Sequence, residues 1–197
     1  MEDIAEKIVN FMLNNAAIDE KEFVAYKYGI QIGLEVLLNT IICILLAVLL
    51  NAKLSCFIFL AVFICIRAYA GGLHLSTFKK CTIASVCYIV VALYFMKYHP
   101  IPLDYAIVII FGSLAGIKII SPVEDANRKL TIAEKKKFAK RLSFVLCFIL
   151  FLSLFLYIKK IKYILSDIGI SLLGSFIVLI LGKIKNKIHQ HNFKPTV

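Results

Sequence analysis

No two cysteines in this chain are spaced as Cys-x-x-Cys, although six are present: Cys43, Cys56, Cys65, Cys81, Cys87 and Cys147. Most lie inside apolar runs, where a thiol behaves as a small hydrophobe, so no disulfide framework is expected. Tryptophan is absent, and Asp and Glu number only 12 against 23 Lys and Arg. The opening stretch MEDIAEKIVNFMLNNAAIDEKEF has no basic segment leading into an apolar one, which argues against a cleaved signal peptide. No basic surface interleaved with aromatics is visible, so nucleic acid is not an expected partner. No internal repeat of the kind common in transporters stands out. No set of four Cys and His ligands is gathered to close a structural zinc site, and no metal or cofactor is expected.

What the chain does have is apolar length. Of its 197 residues 61% are hydrophobic, and the mean hydropathy is +0.88. Soluble domains are about 45–50% apolar. The excess falls in six segments, near 29–51, 54–70, 81–97, 101–120, 142–158 and 163–182. These lengths predict an all-α, polytopic membrane helical bundle forming a single domain over 1–197. Several segments are short for a straight span of roughly 20 residues. The pair at 54–70 and 81–97 therefore has two readings, as full spans or as a re-entrant pair. Residues 1–28 form an amphipathic N-terminal segment, with Ile4, Ile8, Phe11 and Met12 at helical spacing. It is expected to lie on the membrane surface or to pack on the bundle. Residues 183–197 read as a polar cytoplasmic tail.

Charge orients the bundle. If all six segments cross, 17 of the 23 Lys and Arg fall on one side, in 1–28, 67–80, 121–141 and 183–197. Lys and Arg favour cytoplasmic loops, so both termini and the loop after Arg67 are expected in the cytoplasm of a multi-pass cell-membrane protein. A re-entrant pair would remove two crossings together and leave this orientation unchanged. The net charge of +11 fits that topology and attraction to anionic membrane lipids. A sharper reading gives the cluster Lys135, Lys136, Lys137, Lys140 and Arg141 an acidic peptide partner.

One loop interrupts the apolar pattern: Arg67-Ala-Tyr-Ala-Gly-Gly-Leu-His-Leu-Ser-Thr-Phe-Lys-Lys-Cys81. A histidine and a cysteine seven apart suggest a Cys–His dyad, in which His74 takes the thiol proton and Cys81 attacks a carbonyl. On one straight helix they would be about 10.5 Å apart along the axis, too far for a hydrogen bond. A break is therefore needed. Gly71 and Gly72 supply backbone freedom before His74, and Ser76 or Thr77 can cap a helix that carries Cys81 near its N-terminus. That terminus, with Lys79 and Lys80 beside it, would favour the thiolate. The bland alternative makes Cys81 a packing residue and His74 an interfacial one.

The arrangement Arg67–x3–Gly71–Gly72–x–His74–x6–Cys81 resembles the signature of the accessory gene regulator protein B family. "YGIQIGLEVLLN" at the first span and the loop "SPVEDANRKLTIAEKKKFAKR" are similar as well. The resemblance implies a membrane cysteine endopeptidase acting in bacterial quorum sensing. Its substrate would be an autoinducer propeptide with an amphipathic leader and an acidic C-terminal tail. The enzyme would remove the tail and close the new C-terminus into a thiolactone or lactone. Cys81 then matches the nucleophile and His74 the catalytic histidine, while Arg67 and Gly72 match positions required for activity. The resemblance also suggests a homodimer.

A third group often orients the imidazole of such a pair. The candidates are Glu35, Asn127, Glu124 and Asp125. Glu35 stands out as a carboxylate inside an apolar run, with Gln31 one turn away on the same face. Glu35 either neutralises Arg67 across antiparallel helices or holds His74; Arg67 would then bind substrate or the oxyanion. A rival from another class is a small membrane transporter or exporter of a peptide or ion, which needs Glu35 and Arg67 but not Cys81.

Overall fold

The computed structural model describes residues 2–15, 17–73, 78–123 and 131–192. Among them there are seven α-helices and no strand: α1 (Glu2–Asn14), α2 (Phe23–Leu49), α3 (Lys53–Ala70), α4 (Phe78–Tyr98), α5 (Leu103–Ile120), α6 (Ile132–Ile158) and α7 (Lys162–Asn192). The last six are each long and apolar enough to cross a membrane. Helices α3 and α4 have 18 and 21 residues, about 27 and 31 Å, close to a full hydrocarbon thickness and well beyond a re-entrant half-span.

Two polar stretches turn out to be helical. Helix α6 starts at Ile132, ten residues before the apolar run that marks it in the sequence. The cause is local: the Thr131 hydroxyl accepts from the Glu134 amide at 3.2 Å, and the Thr131 amide donates to the Glu134 carboxylate at 2.8 Å. That reciprocal cap starts a run of good helix formers, AEKKKFAKR. The polar tail likewise continues α7 as far as Asn192.

The buried stripe of α1 lies one residue away from the apolar stripe of Ile4, Ile8 and Phe11. Ala5 and Val9 are fully buried, whereas Ile4, Ile8 and Phe11 stay exposed. Small residues let α1 approach α2, and Lys27 on α2 bonds Glu6 at 2.6 Å. The larger apolar side chains are thereby left outward, as a surface-lying helix requires.

Two cores hold the bundle together. The larger joins α3, α5, α6 and α7 through stripes such as Ala106, Ile110, Leu114 and Ile117 on α5 and Leu165, Ile168, Leu172 and Leu179 on α7. The smaller joins α2, α3 and α4 through Cys43, Ala47, Cys56, Phe59, Ile89, Leu93 and Met96. All of these lie toward the end of the bundle that carries the α2–α3 turn. Beside this core α2 and α4 are not filled in, and a cavity runs along α4 from Cys81 to Phe95.

Candidate active site

Helix α4 begins at Phe78, so Cys81 sits in its first turn and is 8% exposed. The first turn of a helix carries the positive end of its dipole. Lys79 and Lys80 are exposed beside it. The Cys81 thiol donates to Glu35 Oε2 at 3.7 Å, a long contact between two buried side chains. Glu35 is also 8% exposed. Because α2 starts at Phe23, Glu35 stands about 18 Å along its helix. The contact with the first turn of α4 therefore means that α2 protrudes beyond α4 by several turns, where α1 packs against it.

Arg67 acts on the loop that leads to His74. Its Nη2 donates to the Leu73 carbonyl at 2.8 Å and its Nη1 to the Gly71 carbonyl at 3.4 Å. The loop's glycines have a reason in this geometry. Gly71 has φ +80° and Gly72 φ +153°, where side chains are strained. A Cβ on Gly72 would fall on the Arg67 guanidinium, and one on Gly71 on the Val123 carbonyl. The Val123 amide donates to the Ala70 carbonyl at 2.8 Å, which ties the α5–α6 connection to the same loop. From the other side α7 approaches through Gly182, whose Cβ would meet the Gly72 carbonyl carbon at 2.8 Å. Three chain segments, α3, the α5–α6 connection and α7, thus converge on Gly71–Leu73.

These groups stand at one end of a cavity of about 940 Å³ between α2, α3, α4 and α7. Glu35, Arg67, Gly71, Gly72, Leu73 and Cys81 all line it. Gln31, expected to share the face of Glu35, does not; Ile32, Val36, Asn39 and Thr40 extend the Glu35 stripe instead. His74, Ser76, Thr77, Glu124, Asp125 and Asn127 lie outside the described residues. Among the described residues no cluster of three His, Cys, Asp or Glu side chains is arranged for a metal ion.

Sequence reasoning passed over Asn39, Ser85, Tyr88 and His99, which line the same cavity. Their signal is helical spacing from residues already singled out. Asn39 is one turn beyond Glu35, and Ser85 and Tyr88 are one and two turns beyond Cys81. Asn39 Oδ1 and the Tyr88 hydroxyl are buried without a hydrogen-bond partner among the described residues.

The family profile described as Accessory gene regulator B matches residues 5–182 of the chain. Searches of curated proteins and of solved structures returned no match. The match takes in α2 to α6 and the cavity-lining part of α7, so it covers every element that builds the site. With six helices able to span a membrane and a profile matching nearly its whole length, the chain belongs to the Accessory gene regulator B family, membrane proteins of quorum-sensing peptide processing.

Proposed function

We propose that the chain is a membrane cysteine endopeptidase that removes the acidic tail of an autoinducer propeptide and cyclises the remaining core. The observation that carries this reading is Cys81 in the first turn of α4, its thiol on the Glu35 carboxylate, lining a large apolar cavity. A packing cysteine needs neither the carboxylate nor the cavity.

The steps follow from the chemistry of a Cys–His pair. His74 takes the thiol proton, and Cys81 Sγ attacks the carbonyl before the tail. The tetrahedral oxyanion collapses, the C–N bond breaks, and His74 returns the proton to the departing amine. The core peptide is left as a thioester on Sγ. A cysteine or serine side chain within the peptide then attacks that thioester, the ring closes, and the Cys81 thiol reforms. Exchange of one thioester for another is nearly neutral, whereas making a thioester from an amide is uphill. Loss of the tail and departure of the ring must therefore draw the sequence forward. Water must stay out, or the thioester hydrolyses to a linear acid. The apolar lining supports that exclusion.

Glu35 has two uses in this scheme, accepting the thiol's hydrogen bond before reaction and orienting the histidine during it. Arg67 is a positioning residue: it fixes the carbonyl of Leu73, the residue before His74. The same reading puts both termini and the site on the cytoplasmic face of the cell membrane, which the Lys and Arg distribution supports. Exposed apolar side chains such as Leu49, Val108, Phe144 and Phe151 would then meet lipid or a second copy in a homodimer.

Co-expression with a short propeptide that has an amphipathic leader and an acidic tail tests the reading. Mass spectrometry of membranes should find the wild-type protein carrying a truncated-peptide adduct that neutral hydroxylamine releases, together with free tail. Both should be lost in Cys81→Ala, with tail release down by at least about 10³-fold. Equal tail release in Cys81→Ala would sink the proposal and favour a transporter that does not use the thiol.

A further inference from the structure

Four buried side-chain oxygens have no hydrogen-bond partner among the described residues: Asn39 Oδ1, Thr82 Oγ1, the Tyr88 hydroxyl and Ser121 Oγ. Asn39 and Tyr88 line the cavity that holds Cys81, whereas Thr82 and Ser121 do not. Buried polar groups inside a membrane bundle normally have partners, and two unmet ones on a single cavity point to a polar occupant.

Their positions along the helices narrow its chemistry. Glu35 meets Cys81, and eight residues further along each helix Cys43 and Ile89 share the smaller core. Helices α2 and α4 therefore run side by side in one direction. Asn39 stands about 6 Å along the axis beyond the level of the sulfur, and Tyr88 about 10.5 Å beyond it. The Tyr88 ring packs on Phe59 and Phe63, with centroids 5.4 and 5.6 Å away, and a Cβ on Gly174 of α7 would fall on its hydroxyl. An extended peptide advances about 3.3–3.6 Å per residue. A chain attached to Cys81 thus reaches Asn39 about two residues from the sulfur and Tyr88 about three. An amide oxygen accepts and a phenol donates, so the first suits a backbone N–H and the second a backbone carbonyl. The volume of about 940 Å³ has room for a few peptide residues doubled back on themselves.

We propose that Asn39 and Tyr88 hold the core peptide in a turn while it is a thioester on Cys81, and so decide whether it cyclises or hydrolyses. The proposal rests on the peptidase-cyclase reading and assigns residues to its second step. Two nucleophiles compete for the thioester carbonyl. When the peptide's own thiol or hydroxyl attacks, a new C–S or C–O bond forms, the bond to Cys81 Sγ breaks, and the attacking group's proton ends on Sγ as the ring leaves. When water attacks, the same bond breaks and a linear acid leaves. Turning the chain back raises the effective concentration of the internal nucleophile and does nothing for water. Each hydrogen bond to the turn then favours ring over linear acid by about fivefold.

The test uses the purified full-length protein in liposomes, with a propeptide that has an amphipathic leader and an acidic tail. Mass spectrometry counts free tail, ring and linear acid. The readout is the ratio of ring to linear acid, which does not depend on how much propeptide is cleaved. Tyr88→Phe removes one oxygen atom, and Asn39→Leu keeps the branched shape without the acceptor. Each should cut the ratio about fivefold. Neither should lower the melting temperature in detergent, because the lost oxygen has no partner within the protein. Thr82→Val removes an orphaned hydroxyl on the same helix outside the cavity, and should leave the ratio within about twofold of wild type. An unchanged ratio in either cavity variant overturns the proposal, and so does an equal fall in Thr82→Val. Absent tail release from the wild type strikes the peptidase reading instead. The holding role is then judged on binding of a synthetic core peptide without its tail to Cys81→Ala protein. A fall in affinity of about fivefold on adding Tyr88→Phe supports it, and equal affinity overturns it.

Discussion

The two sides of this bundle are packed to different standards. Half of the apolar window of α7 is buried inside the protein, against 17% for α2 and 22% for α4. The α3–α5–α6–α7 side is filled with aliphatic side chains along its length. The α2–α4 side has a smaller core, toward the α2–α3 turn, and lines open space along α4 from Cys81 to Phe95. Tight packing on one side fixes where α3 ends and where α7 passes, and so fixes the loop at Gly71–Leu73. Loose packing on the other leaves room for a substrate. The comparison implies that substitutions on the open side change chemistry, and those on the filled side change stability.

The sharpest way to break that division is at Glu35. Glu35→Gln keeps the shape and an acceptor oxygen but removes the charge beside Cys81. Tail release should fall by about 10² with little change in melting temperature in detergent. A large loss of thermal stability with turnover per folded molecule preserved would make Glu35 a structural counter-ion instead. Gly72→Ala should fall next, by between about 10- and 100-fold, because the new methyl meets the guanidinium that holds the loop and forces an unfavourable φ. The two residues share one contact, so Arg67→Ala and Gly72→Ala together should cost less than the sum of the singles. Strict additivity, measured by propeptide turnover across the four proteins, would break the link between them. A smaller effect belongs to Lys79 and Lys80. Both are exposed, and water and salt screen them. Changing both to Gln should slow cleavage only a few-fold, and the difference should shrink as ionic strength rises.

Much of this was legible in the residues. Long apolar runs announce spans because an unsatisfied backbone in lipid leaves helices as the solution. Gly71–Gly72 announced a break because nothing else adopts those angles without strain. The extent of α6 was less legible: hydropathy marks where a helix is greasy, whereas the Thr131–Glu134 cap and the lysine-rich turns are helical for local reasons. Which face of α1 meets α2 was not legible, because close approach favours Ala5 and Val9 over the larger Ile4 and Ile8. Arg67 offers the clearest lesson. Charge pairing suggested Glu35 as its partner, but a guanidinium with five donors can also staple carbonyls six residues ahead, which no pairwise charge rule anticipates. The cavity itself was illegible, since a stripe such as Cys81–Ser85–Tyr88 reads the same whether it faces a neighbour or a void.

The filled side gives the smallest expected change in chemistry and so the most demanding check. Leu172 on α7 is fully buried among residues of α3, α5 and α6 and takes no part in lining the cavity. Leu172→Ala removes three carbons from a close-packed site, which in soluble cores costs about 2–5 kcal/mol. Within a bilayer lipid tails are as apolar as leucine, so only the packing and cavity terms remain and the lower end of that range applies. The melting temperature in detergent should drop, while tail release per folded molecule stays within about twofold of wild type. If turnover falls together with stability, α7 is transmitting its packing to the loop through Gly182, and the two sides of the bundle are one mechanical unit. If turnover holds, the filled side is scaffold alone, and the room beside Cys81 is a property of α2 and α4.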